Sequence, residues 1–94
     1  MKLYDKVQRQ KERLKRKQFR KLYDLTIKRI RLAVSLGTLS ISINPYDVDI
    51  AWDNPNLSEY IKEIKQRLYK RYGNQVYLSY ERGNYIKCII QGGK

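Results

Sequence analysis

The amino-acid sequence predicts an α+β fold in two layers: a long N-terminal helix and a second helix packed on a three- or four-stranded antiparallel sheet, in the order α-β-(β)-α-β-β. Three observations carry this. From Phe19 to Val34 apolar residues recur at three- and four-residue intervals, and the same spacing returns from Leu57 to Leu68. The stretches after Gly37 and after Gly73 alternate apolar and polar residues instead. Glycine, proline and asparagine punctuate the joints between these segments.

Residues 1–18, MKLYDKVQRQKERLKRKQ, favour helix and contain no breaker. Leu3, Val7 and Leu14 are spaced helically, but Gln10 and Lys17 interrupt the stripe. A basic helical arm is expected here, either continuous with the main helix or ordered on a partner, with residues 19–94 as a single α+β domain. In the main helix Phe19, Leu22, Tyr23, Thr26, Ile27, Ile30, Ala33 and Val34 mark the inner face, and Gly37 marks the stop. TLSISIN then predicts a strand with Leu39, Ile41 and Ile43 on one side. Asn44-Pro45 signals a turn, and YDVDIAW alternates again through Val48, Ile50 and Trp52, which favours a second strand over an extended loop. Pro55, Asn56 and Glu59 predict a capped helix start, with Leu57, Tyr60, Ile61, Ile64 and Leu68 facing inward as far as Tyr72 and Gly73-Asn74 as the stop. Residues 75–81 and 85–91 predict a hairpin turning at Arg82-Gly83-Asn84, followed by a frayed tail at Gly92-Gly93-Lys94.

The charge sits almost wholly at one end. The formal net charge is +12 and the pI near 10. Residues 1–31 hold thirteen Lys and Arg against Asp5, Glu12 and Asp24, whereas the rest holds eight against six. Such asymmetry points to a polyanionic partner, most often nucleic acid. The first thirty residues lack the apolar h-region of a secretory signal, and no apolar run approaches the roughly twenty residues of a membrane span. A cytoplasmic location and no membrane partner are therefore expected. Cys88, the only cysteine, lies in the apolar run IKCII and reads as a small core residue.

The inventory for catalysis is thin. The chain has no histidine, no GxxxxGK[ST] or GxGxxG loop and no CxxC pair. Asp47 and Asp49 would share one face of a strand, near Asp53, where clustered carboxylates suit Mg²⁺; the plainer reading is the solvated face of an edge strand. Neither a metal nor a cofactor is expected. A helix–strand–strand order given twice resembles half of a LAGLIDADG homing endonuclease. That family's signature helix ends in a metal-binding acid, which LAVSLGT lacks, so the resemblance implies no such activity. Tyr77 and Tyr85 would suit an aromatic stacking face on an open sheet, but the glycine–aromatic pattern that accompanies one is missing.

The basic arm is the strongest functional signal. RQKERLKRKQFRK carries eight cations in thirteen residues, and on a helix they spread around most of the circumference, as in arginine-rich helices that lie in a nucleic-acid groove. Arg9, Lys11, Arg13, Lys15, Arg16, Lys17, Arg20 and Lys21, continued by Lys28, Arg29 and Arg31, are the expected phosphate contacts. The pieces IRLAVSLGTLSISI, LSEYIKEIKQRLYKRYGNQVYL and YIKCII, over roughly residues 22–90, resemble small accessory proteins of bacteriophages; YGNQV at the helix–hairpin junction and the lack of a terminal tryptophan depart from that pattern. The resemblance implies a non-enzymatic role in a viral or mobile-element setting. Together these readings predict a non-enzymatic nucleic-acid-binding protein (DNA or RNA) whose body is a scaffold or a homodimer surface. Two alternatives stay open: an anti-defence or anti-CRISPR-like inhibitor or regulator of a protein that itself handles nucleic acid, and a virion structural component.

Overall fold

Helix α1, Leu3–Leu36, is one uninterrupted run of 34 residues, as expected of a stretch with neither proline nor glycine. It is seen in a computed structural model that describes residues 2–91; the tail expected at Gly92–Lys94 lies outside them. The helix stops where Gly37 turns left-handed at φ 70°. There Thr38 N–H donates to the Ala33 carbonyl at 3.0 Å and Gly37 N–H to the Val34 carbonyl at 3.2 Å, a Schellman pair that satisfies carbonyls the helix end would leave open. Leu22, Thr26, Ile27, Ile30 and Ala33 are buried, and Phe19 and Tyr23 are half-buried beside them. Val34, expected on the same face, is exposed: it follows Ala33 by one residue and is turned about 100° from it.

Strand β1, Ser40–Ser42, is short. Ile43 N–H donates to the Ile86 carbonyl and Ile90 N–H to the Leu39 carbonyl, both at 2.8 Å, so pairing extends one residue past each end. Ile43 is buried, but Leu39, expected beside it, is exposed; its backbone pairs with Ile90 while its side chain stays outside the core.

The strand expected at residues 46–52 is absent. Asn44 Oδ1 accepts from Tyr46 N–H at 3.0 Å, Pro45 opens a 3₁₀ turn over Pro45–Val48, and Asp49 closes it in a left-handed conformation. Local turn chemistry outweighs apolar alternation here. Ile50 is fully buried and Val48 half-buried because the loop plugs the core from its end. The order is therefore α-β-α-β-β, which removes the topological basis of the homing-endonuclease resemblance.

Helix α2, Leu57–Tyr72, buries Leu57, Tyr60, Ile61, Ile64 and Leu68, the inner face its spacing predicts. The expected capping box does not form, since Asn56 makes no side-chain cap bond. Asn54 does the work instead, its Oδ1 accepting from Asn56 N–H at 2.8 Å and its carbonyl from Leu57 N–H at 3.1 Å. A short 3₁₀ turn, Gly73–Gln75, leads into β2, Val76–Glu81. Gly83, at φ 72°, turns that strand into β3, Tyr85–Ile90.

The sheet order is β1-β3-β2, antiparallel throughout. Ile41, Cys88 and Leu78 lie in one row across it, facing the helices, with Cys88 and Leu78 buried. Ser40, Ser42, Tyr77 and Lys87 are exposed on the other face. Both helices thus cover one side of the sheet, around a single core. The principal extents are 54 × 25 × 21 Å and the radius of gyration is 15.1 Å, against about 12 Å for a compact chain of this length. The excess is the first four turns of α1: every side chain from Lys2 to Leu14 is exposed.

Candidate nucleic-acid interface

The arm meets the body at its fourth turn. Lys15 Nζ lies 3.7 Å from Glu59 Oε2 at the start of α2. One turn on, the Tyr60 hydroxyl donates to Gln18 Oε1 at 2.9 Å. Burial above all, and then the neighbouring Glu59 charge, raises the Tyr60 pKa, so the phenol stays a hydrogen-bond donor through the neutral range. Phe19 packs edge-on to Tyr60, with ring centroids 6.2 Å apart. These contacts fix the direction in which the arm leaves the body.

Helical spacing sorts the eleven expected cations into groups. Arg9, Arg13, Arg16 and Arg20 follow one another at intervals of four, three and four, with Lys2 and Lys6 before them, and so form one ridge. Lys17 stands on its shoulder, and Arg31 lies on the same side three turns further, past Asp24. From Lys6 to Arg20 the ridge is about 21 Å long at 1.5 Å per residue. Lys21 and Lys28 fall on another flank. Lys15 faces α2, where Glu59 engages it, and Lys11 lies one turn before it on the outer flank of the helix. Arg29 is paired with Asp47 at 3.2 Å. The arrangement therefore separates Lys11, Lys15, Lys21, Lys28 and Arg29 from the ridge and brings Arg9, Arg13, Arg16, Lys17 and Arg20 together. Among the described residues none of those five makes an ion pair within 4.0 Å.

Where the ridge reaches the body it borders an open groove of about 890 Å³ lined by Arg13, Arg16, Lys17, Phe19, Arg20, Tyr23, Asp24 and Arg67. Its aromatic wall is the Phe19–Tyr23 pair, one helical turn apart and stacked at 6.2 Å with 10° between the planes. The Arg67 guanidinium from α2 lies over both rings, at 4.8 Å from Phe19 and 5.6 Å from Tyr23, and is held by Glu63 at 3.4 Å. A guanidinium on an aromatic wall, ringed by further cations, suits a phosphate or the face of a base. Sequence reading missed Arg67, which lies on another element 47 positions beyond Arg20. The signal that was available was the Phe19/Tyr23 pair at i, i+4 inside the basic run.

The acids behave as surface charges. Asp47 neutralises Arg29, and Asp49 closes the 3₁₀ turn; with no strand here, the two do not share a strand face. Among the described residues no group of three or more His, Cys, Asp or Glu is placed to hold a metal ion. No described helix is long and apolar enough to cross a membrane. Cys88 is fully buried, and burial pushes its thiol up to about 12. Compared with known proteins, this chain matches no protein-family model, no curated protein and no solved structure.

Proposed function

We propose that this chain is a nucleic-acid-binding module whose arm lies along a duplex. Arg9, Arg13, Arg16 and Arg20 contact phosphates, and Arg67 extends the track onto the body. The observation that carries the reading is the ridge itself: successive cations at helical spacing, exposed and without acidic partners among the described residues. A face serving solubility alone would intersperse acids with the cations. The arm's dimensions agree with this. A helix with side chains is about 10–12 Å across, and the major groove of B-DNA is about 12 Å wide. Side chains from Lys2 to Leu14 are exposed on all sides, so the arm can enter a groove without detaching from the fold. Over about 21 Å the ridge spans about six phosphates of one strand at 3.4 Å each. Phosphate contacts of this kind give affinity and orientation without choosing a sequence.

The test is a titration of a fluorescent 20-base-pair duplex by fluorescence anisotropy at several KCl concentrations. Binding that weakens steeply and linearly in log–log form supports the reading. Weak binding that ignores salt overturns it, and points to a protein surface as the ligand.

A further inference from the structure

We infer that α1 is also a self-association surface: two copies of this chain pair antiparallel along it, through a stripe that is neither the core face nor the basic ridge. Leu3, Val7, Leu14, Leu25, Leu32 and Leu36 fall within one narrow sector of the helix, about 120° around from the ridge. Leu3 is 77% exposed, Val7 51%, Leu14 49%, Leu32 39% and Leu36 64%. Leu25 is half-buried against the core and belongs to the stripe by its position around the helix.

The spacing names the occupant. Leu3 and Leu36, Val7 and Leu32, and Leu14 and Leu25 are each equidistant from the helix midpoint between Phe19 and Arg20. A two-fold axis at that midpoint sets every apolar residue of one copy opposite an apolar residue of the other. Such self-complementarity, in which residue i meets j and j meets i, is what a two-fold interface requires. Among the polar positions the same symmetry sets Gln18 opposite Lys21 and, at the margins of the stripe, Gln10 level with Arg29 and Lys11 level with Lys28, the last a like-charge pairing that adds to the repulsion. A parallel pair would instead stack Lys21 on Lys21 and Lys28 on Lys28, which like charge disfavours. A 34-residue helix is about 51 Å long; a contact strip about 10 Å wide along it buries roughly 1,000 Å² in total, the lower bound for a specific interface. Both basic ridges stay uncovered in this arrangement and run in opposite directions, but two paired helices are too wide for a major groove about 12 Å across, so the pair and the groove-bound arm are alternative states of α1.

The charge of the pair sets a signature. Two strongly basic helices repel at low salt, and the Debye length falls from about 10 Å at 0.1 M to about 3 Å at 1 M. Self-association therefore tightens with added salt, opposite to the trend for nucleic acid, so failure of one reading does not resemble failure of the other.

The experiment has two arms on the full chain. Sedimentation equilibrium at 0.1 M and 1 M NaCl is expected to show a monomer–dimer equilibrium at least severalfold tighter at 1 M. Leu3→Cys and Leu36→Cys are then prepared separately, mixed and oxidised; both sites are exposed, and the native Cys88 is buried. The expected product is the mixed 3–36 dimer, at least tenfold over either self-crosslinked dimer. A monomer at both salt concentrations overturns the inference, as does predominant 3–3 and 36–36 crosslinking. Leu14→Glu leaves the fold in place, since Leu14 has no core contact, and is expected to abolish the dimer; a dimer that persists in this variant also overturns the inference.

Discussion

Replacing Arg9, Arg13, Arg16 and Arg20 together by Gln removes four charges from the ridge and leaves the helix intact, because Gln and Arg have similar helix propensities and all four side chains are exposed. The wild-type ridge holds six cations in line: Lys2, Lys6 and these four. At about −0.9 per phosphate neutralised, log affinity should fall with log salt at a slope of about −5, and affinity should drop about 2,000-fold between 50 and 200 mM salt. The variant keeps Lys2 and Lys6, so its slope becomes about −2 and its loss over the same range about tenfold. Anisotropy with a labelled duplex measures both slopes, and far-UV circular dichroism confirms equal helix content. The control is Lys21→Gln with Lys28→Gln, which lowers net charge by two away from the ridge and should leave the slope nearly unchanged. If the control flattens the slope as much per charge as the ridge variant does, net charge rather than the ridge drives binding, and the assignment fails.

Three further outcomes follow from the packing. Ile64 is fully buried in α2, so Ile64→Ala should cost about 2–5 kcal/mol, a fall in Tm of about 10–25 °C for a domain of this size, read by thermal unfolding. Thr26 is buried and its Oγ1 donates to the Leu22 carbonyl at 2.8 Å, a carbonyl already placed to accept within the helix; Thr26→Val keeps the shape and should change stability by less than about 1 kcal/mol in chemical denaturation. The Cys88 thiol is held up at about 12 in the fold. A raised acid favours the folded state fully below the pKa of the unfolded thiol and loses that contribution as pH rises through the folded value. Stability should thus fall from about pH 8.5 upward, less so in Cys88→Ala, as followed by urea midpoints across pH; in the folded protein at pH 8 iodoacetamide should leave Cys88 unmodified.

Helical period was the readable part of this sequence. Leu22, Thr26, Ile27, Ile30 and Ala33 show it, as do Leu57 through Leu68, because each helix has one buried stripe and a polar remainder. The hairpin was readable for the same reason at period two. Residues 45–50 were not, because an apolar alternation records only which side chains go inward. Val48 and Ile50 go inward from a turn held by Asn44 and Pro45, whose local hydrogen bond decides the backbone. Capping failed by a shift of two residues: Asn54 and Asn56 offer the same side chain, and only the path of the chain chooses between them. The candidate site was half legible. Charge density identified the arm, but pairing of Lys15 and Arg29 with acids from distant elements, and the arrival of Arg67, depend on tertiary contacts that no local pattern encodes.

Continuity with the docked half of α1 resolves a difficulty the arm would have alone. A segment of about twelve residues with many like charges at i, i+3 and i+4 is a poor isolated helix, because nucleation is costly and the charges repel. Here nucleation has already occurred. The turns from Lys15 to Leu36 are held by the core, and the arm only propagates, one hydrogen bond per residue fixed. Its direction is set by Phe19 against Tyr60 and by the Tyr60–Gln18 bond. The residual like-charge strain falls on the ridge, where the proposed polyanion would relieve it. The core therefore supplies the rigidity that the proposed phosphate contacts require, and in that proposal the ligand would supply the counter-charge that the helix lacks.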